Sequence, residues 1–238
     1  MLRRSTDRKV ANGIRISSSG KPVTLMANAF GLLAGASCPG ATSACASICY
    51  AEGAEKRYPS VKSVVATNYA QLKDADTTEM IRLLGAMIRG FDAECDEKDL
   101  PKLFRIHWDG DFFNPEYVDA WKSVIESNPQ IHFWAYTRSA FAVKPLVNIE
   151  NLALYFSTDS INKPIGEMLN RLYGVKLAYL AKTFDDGKQD MDSIGLKATR
   201  CPENNKALPL ADAKGSACIQ CGLCVDGRAN VLFSISKK

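Results

Sequence analysis

Apolar positions along the chain repeat with two periods, and the changes between them mark out alternating strands and helices. Val23 to Phe30 (VTLMANAF) is a short continuous apolar run that predicts a buried strand feeding a loop rich in Gly, Ala and Ser. Two helices are expected next. Met80, Leu83, Leu84, Met87, Ile88 and Phe91 recur at helical spacing, and Asp76 with Glu79 three residues on forms an N-terminal capping pair. Leu103 to Trp108 reads as a strand. Asn114 then caps, and Pro115 starts, a helix that turns Val118, Trp121 and Ile125 inward. Ile131 to Tyr136 is the following strand, with a short helix near Phe141 to Val147. Leu152 to Phe156 is a strand, and a helix from Pro164 carries Ile165, Met168, Leu169 and Leu172 until Gly174 stops it. Val175 to Leu180 is one more strand.

Strands alternating with helices of about ten residues predict βαβ units and a parallel sheet, that is, an α/β fold. Right-handed crossovers bring the C-terminal ends of parallel strands to one edge, where α/β folds bind ligands. The loop holding Cys38, the turn at Asp109 and the turns at Thr137 and Asp159 should therefore converge. Past Asp185 the composition shifts to Gly, Lys, Asp and Pro with no strong period until Ala229 to Ile235, which reads as a last strand. The expected organisation is a basic leader over 1–22, an α/β unit over 23–184 and an irregular cysteine-rich extension over 185–238.

At 238 residues, 46% hydrophobic and 24% charged, the composition is that of a soluble globular protein. No run approaches the roughly 20 apolar residues that span a bilayer, and the opening Met-Leu-Arg-Arg is not followed by the apolar core of a signal peptide. The expectation is a cytoplasmic location with no membrane partner. The net charge of +4 is concentrated in the leader at Arg3, Arg4, Arg8, Lys9, Arg15 and Lys21. This segment reads as a solvated basic tail, with phosphate contact as the alternative.

In a reducing compartment clustered cysteines are ligands or redox groups more often than structural disulfides. Seven of the eight cysteines fall into two groups. Cys38, Cys45 and Cys49 lie in a loop whose small residues can fold around a cluster, and three thiolates leave one corner of a four-iron cluster open. Cys201 and the run Cys218, Cys221, Cys224 supply four thiolates, which can close either a four-iron cluster or a structural zinc site. The remaining Cys95 lies in an acidic run and reads as a bystander on a solvated turn, its pKa raised by adjacent carboxylates. His107 and His132, inside predicted strands, read as satisfied buried histidines. The aromatics Trp108, Phe112, Phe113, Trp134 and Tyr136 offer faces for a base, although alternation assigns half of them to the core. The chain lacks a phosphate-binding Gly-x-x-x-x-Gly-Lys-Ser/Thr loop, a Gly-x-Ser-x-Gly elbow and a His-Glu-x-x-His helix.

Three stretches carry a family resemblance: the run C-x6-C-x3-C-Tyr50-Ala51-Glu52, the strand end Arg105-Ile-His-Trp-Asp-Gly-Asp-Phe-Phe-Asn-Pro115, and Phe133-Trp-Ala-Tyr-Thr-Arg138. With the C-terminal Cys-x2-Cys-Gly-x-Cys, the chain from about residue 23 onward resembles phage-associated radical S-adenosylmethionine (SAM) proteins related to spore photoproduct lyase. These include the phage gene-product 37/68 and gene-product 88 families, and the resemblance is closest to the gene-product 88 type. It departs from the commonest radical SAM signature, C-x3-C-x2-C, in its wider spacing and in placing Tyr50 after the last cysteine.

The resemblance implies a partial (β/α)6 radical-SAM-like barrel with a four-iron cluster on Cys38, Cys45 and Cys49 whose open iron chelates SAM. One electron, from a reductant such as flavodoxin or ferredoxin, would cleave the sulfonium to a 5′-deoxyadenosyl radical. Gly110 and Asp111 would face the SAM amino group, Thr137 and Arg138 its carboxylate, and Ser157 and Asp159 the ribose, with Tyr50 also counted at the cofactor. Cys201, Cys218, Cys221 and Cys224 would hold an auxiliary cluster, with zinc as the rival. The implied substrate class is nucleic acid or a nucleotide, in the host cytoplasm if the chain is phage-encoded. The alternative is a non-catalytic phage iron–sulfur protein that engages a host macromolecule.

Overall fold

The computed structural model describes residues 1–5, 9–10, 28–212 and 215–236. The first predicted strand is represented by β1 (Ala29–Gly31), while residues 23–27 of that expectation lie outside the described residues, as do Arg8, Arg15 and Lys21 of the leader. Two short helices, α1 (Ser43–Ser47), which holds Cys45, and α2 (Tyr50–Arg57), which Cys49 caps, precede the two expected ones, α3 (Pro59–Leu72) and α4 (Thr77–Glu97). In α4 the Asp76 carboxylate caps the Glu79 amide at 2.8 Å, and Met80, Leu84, Met87, Ile88 and Phe91 are buried as their spacing requires. The stripe runs one turn further than expected. Cys95, four residues beyond Phe91, is 1% exposed inside α4 and not on a solvated turn. Burial is the main force that pushes its thiol up to about 12, with Glu94 and Asp92 contributing less.

Then come β2 (Leu103–Asp109), α5 (Pro115–Glu126), β3 (His132–Thr137), a 3-10 turn at Ala140–Ala142 leading into α6 (Val143–Leu146), β4 (Leu152–Thr158), α7 (Lys163–Tyr173) and β5 (Lys176–Ala181). The chain finishes with α8 (Phe184–Ser193), β6 (Ala198–Arg200), β7 (Ala211–Asp212), β8 (Gly215–Ser216), α9 (Ala217–Cys221) and β9 (Asn230–Ser234). Among the described residues one seven-stranded sheet has the order β1-β2-β3-β4-β5-β9-β6, every pair parallel, and β7 with β8 makes a separate antiparallel pair. The predicted α/β class and parallel sheet are present.

Strand order that follows chain order from β1 to β5, with right-handed crossovers, puts the connecting helices on one face. Phe104, Ile106, Phe133, Ala135, Leu154, Phe156, Leu177 and Tyr179 form that face, packed with Trp121 of α5. The alternate residues of the strands belong to the other face, where Trp134 packs with Val225, and Tyr155, Ala178 and Val231 pack with Leu223, Cys201 and Cys224. The C-terminal segment thus covers the face that the helices leave open.

Three expectations change, and the expected split of the strand-end aromatics is resolved. The stretch over 185–228 is not irregular throughout, because it contains most of α8 and all of β6. Thr183 caps α8 through the Asp186 amide at 3.1 Å, and only Phe184, Gly187 and Met191 are buried, too few apolar positions to show a period. The apolar stripe of α7 does not face inward: Ile165, Met168 and Leu172 are 42%, 42% and 61% exposed. That helix meets the sheet through Gly166 and Leu169, and a Cβ on Gly166 would stand 3.1 Å from the Thr158 hydroxyl, so the small residue sets which side packs. The described leader residues are not a solvated tail, since Leu2 and Val10 are buried, Arg4 pairs with Glu94, and Lys9 pairs with Glu203 at 2.8 Å. Phe112 and Trp134 are closed to a base, both being core residues, and Phe113 stacks on Tyr117 at 4.5 Å.

His107 marks an irregularity. The β1–β2 register runs from Ala29 opposite Arg105 to Gly31 opposite Asp109, and His107 has φ +62°, a left-handed conformation that non-glycine residues rarely adopt. This bulge turns the imidazole to the helix side, where Nε2 lies 2.9 Å from the Tyr117 hydroxyl, and burial drives its pKa down to about 3. His132 is satisfied by the Val225 carbonyl. Trp121 is fully buried, with ring centroids 5.9 Å from Phe30 and 6.3 Å from Phe104. Trp121→Ala should therefore cost about 3–5 kcal/mol, read as a lower urea midpoint at unchanged slope.

Candidate functional site

The loop after β1 rises over the C-terminal ends of β2, β3 and β4 and makes contact at three points. Gly40 sits directly on the end of β3: a Cβ there would fall 2.1 Å from the Arg138 carbonyl oxygen. Gly110, at φ +78°, lies under the loop, and a Cβ would meet Ser37 Oγ at 2.5 Å and Leu32 Cβ at 2.7 Å. Thr42 caps α1 by accepting from the Cys45 amide at 3.1 Å and donates its hydroxyl hydrogen to Asp159 Oδ2 at 2.5 Å. The same Asp159 oxygen takes Arg138 Nη1 at 2.7 Å, and Ile161 N–H donates to the other at 2.9 Å.

Asp111 is the second anchor. Its Oδ1 accepts from the Thr137 hydroxyl and the Phe112 amide, both at 2.7 Å, and its Oδ2 accepts from the Arg138 amide at 2.8 Å. Burial outweighs these bonds and pushes its carboxyl up to about 6. Asp159 goes the other way: against burial, the bonds from Thr42, Ile161 and Arg138 hold it below the usual carboxylate range. Burial, with Asp111 adding to it, pushes the Cys38 thiol up to about 12. Burial also raises Cys45, with Arg138 opposing. Cys49 caps α2, its sulfur 3.4 Å from the Glu52 amide. Tyr50 reaches back to donate to the Trp108 carbonyl, and Ser157 shares the face of Tyr155, its carbonyl accepting from Asn162 at 3.2 Å. The structure thus brings Cys38, Cys45, Cys49, Gly110, Asp111, Thr137, Arg138 and Asp159 to one rim.

Sequence reasoning missed Gly40, Thr42 and Glu55. Thr42 carried a signal as a threonine just before a helix, whereas Glu55 looks like any acid on a helix surface. Glu55 is 6% exposed, accepts from the Ala34 amide at 2.8 Å and adjoins Asp109, which is 2% exposed. Among the described residues the Gly110 amide is the one N–H that opposes this burial at Asp109, and Glu55 serves as a partner when a proton lies between the two carboxyls. Burial first, then the Glu55 charge, pushes Asp109 from 3.8 up to about 8. The folded chain therefore keeps a proton that the unfolded chain releases, and stability should fall as pH rises between those two values and level off above them. Asp109→Asn should flatten part of that decline in melting temperatures taken across the range.

The second cysteine group lies on the sheet face opposite the helices. Cys201 follows β6, Cys218 and Cys221 lie in α9, and Gly222 at φ +66° turns the chain toward Cys224. The four thiols are electrostatic neighbours. Burial pushes Cys224 up to about 12, with Cys218, Cys201 and Cys221 adding to it and a hydrogen bond from the Tyr136 hydroxyl opposing. Burial likewise raises Cys201. The Tyr155 hydroxyl ties the turn down through the Leu223 and Ala229 carbonyls at 3.3 and 3.1 Å. Among the described residues no three His, Cys, Asp or Glu side chains converge closely enough to hold a single metal ion, and no helix is long and apolar enough to cross a membrane.

A family model described as Gene product 88 matches residues 1–227. The chain belongs to the gene product 88 family. Two gene 88 proteins, of Mycobacterium phage L5 and Mycobacterium phage D29, are 48% and 46% identical to it over 241 and 242 residues, covering 100% of this chain and 99% of each relative. No solved structure matches the chain.

Proposed function

We propose that this gene product 88 protein is an iron–sulfur protein and a radical SAM enzyme built on a partial (β/α)6-type barrel. The observation that carries the reading is the gathering of Cys38, Cys45 and Cys49 beside Asp111, Thr137, Arg138 and Asp159 at the C-terminal rim of a parallel sheet. Ligands of α/β sheets bind at that edge. A four-iron cluster with one open corner, when bound, supplies the single electron that cleaves the sulfonium of SAM. The chain's own contribution is positional. Gly40 and Gly110 let the cysteine loop lie on the strand ends, Thr42 fixes α1 to Asp159, and Asp111 holds the end of β3 so that Arg138 projects beside Cys45. Cys38, held as a thiol by burial, must give up its proton when metal binds.

The C-terminal quartet supports an auxiliary four-iron cluster over zinc. Tetrahedral zinc with sulfurs at about 2.3 Å needs the four thiolates within roughly 3.8 Å of one another, whereas a cube that takes one thiolate per iron spreads them further. Cys218, Cys221 and Cys224 at C-x2-C-x2-C spacing, with the remote Cys201 followed by Pro202, resemble the ferredoxin-type set and favour the cluster. The proposed reductant is a flavodoxin or ferredoxin and the proposed substrate class is nucleic acid or a nucleotide. Reconstitution without oxygen, followed by dithionite and SAM, should release 5′-deoxyadenosine. Fully loaded protein that releases none would remove the enzymatic reading.

One observation favours a second reading, a non-catalytic iron–sulfur protein that engages a host macromolecule. Arg138 and Asp159 are bonded to each other and to Thr42, and Asp111 already accepts three hydrogen bonds, which commits the groups assigned to SAM to internal partners. SAM titrated into loaded protein separates the two, since only the first requires a change in the cluster's EPR signal.

A further inference from the structure

Arg105 of β2 stands between the two cysteine groups. Its Nη2 lies 3.4 Å from the hydroxyl of Tyr50, and Tyr50 follows Cys49 at the start of α2. Its guanidinium carbon lies 5.5 Å from the centre of the Tyr136 ring, within cation–π range. Tyr136 in turn brings its hydroxyl beside Cys224 and packs against Tyr155, with ring centroids 5.5 Å apart. Cys49, Tyr50, Arg105, Tyr136 and Cys224 thus form a continuous path of neighbours from the rim to the far face of the sheet. Arg105 is the one permanent charge on it.

We propose that Arg105 couples the two cysteine groups, its guanidinium setting how readily each accepts an electron. The inference rests on the iron–sulfur reading above. Reduction by dithionite adds one negative charge to a cluster and breaks no bond. A cation held close by, in an interior that screens less than water, favours the more negative state. Arginine remains charged at any working pH, so the bias is constant. The Tyr136 hydroxyl acts in the same direction at Cys224, because a hydrogen bond to a ligating sulfur also stabilises added charge. Arg105 is a positioning residue here and touches no reacting atom.

The test is an EPR-monitored redox titration of the full reconstituted chain, with a variant lacking the three N-terminal thiols used to assign the two signals. Arg105→Met should shift the reduction equilibrium of the C-terminal cluster about tenfold toward the oxidised form, about 59 mV for one electron, and move the N-terminal signal the same way. Arg105→Lys should return most of the shift, which a purely structural role would not do. Tyr136→Phe should move the C-terminal midpoint alone, and it decides the matter if Arg105→Met does not fold. Both clusters loaded, with midpoints in Arg105→Met and Tyr136→Phe equal to those of the natural chain, would overturn the coupling and leave the functional reading standing. A natural chain that takes up no iron would bring both down.

Discussion

Replacing Cys38, Cys45 and Cys49 together by alanine is expected to lower the iron of the reconstituted chain from about eight atoms to about four and to abolish 5′-deoxyadenosine release. The loss should be confined to one group because the two occupy different parts of the sheet. The triad hangs from the loop after β1 above the strand ends, while the quartet lies under the last turn of the chain beside Tyr136 and Tyr155. Folding should survive the change. α1 buries none of its five residues, and Thr42, not a cysteine, fastens it to Asp159. Iron and acid-labile sulfide, measured with circular dichroism on the same samples, check the expectation. Undiminished iron in a folded variant would mean that the three sulfurs hold nothing.

Gly40→Ala is expected to disturb the site nearly as much without touching a sulfur. The added methyl would sit 2.1 Å from the Arg138 carbonyl oxygen and 2.4 Å from its carbon, and backbone atoms cannot swing aside as a flexible side chain can. The loop must lift, and Thr42, two residues on, must leave Asp159. Overpacking of this kind costs about 1–3 kcal/mol. The displaced loop should also lose most of the iron of the first group while the second keeps its own. Urea unfolding together with iron analysis reads both effects, and a variant with natural stability and full iron would show that the loop does not depend on this contact.

Most of the central sheet was legible because each strand and helix buries a face of its own. Asp76 and Asn114 cap the helices expected of them, and Gly174 ends α7 in the left-handed conformation its position implies. The convergence of the Cys38 loop with the strand ends followed from parallel topology alone. What could not be read depended on contacts distant in the chain. The orientation of α7 is decided by Gly166 against Thr158, so its most apolar stripe faces outward. Cys95 looked exposed because its neighbours are charged, yet it completes the inner stripe of α4. Glu55 is an ordinary helix residue until Asp109 arrives beside it from β2. Tyr136 belonged to an aromatic strand, but its partnership with Cys224 joins residues 88 positions apart, counting from 136 to 224.

Among the described residues the last strand, β9, is the penultimate one in the sheet: it enters between β5 and β6, and there β6 pairs with β9 alone. A nascent chain leaving the ribosome must therefore expose residue 230 before that side of the sheet can close. Until then β5 offers an open edge on which stray strands can pair, and the segment carrying Cys201 has no strand to align with. Chains truncated upstream of Asn230 are expected to collect in the insoluble fraction, because they lack the strand that closes this side of the sheet.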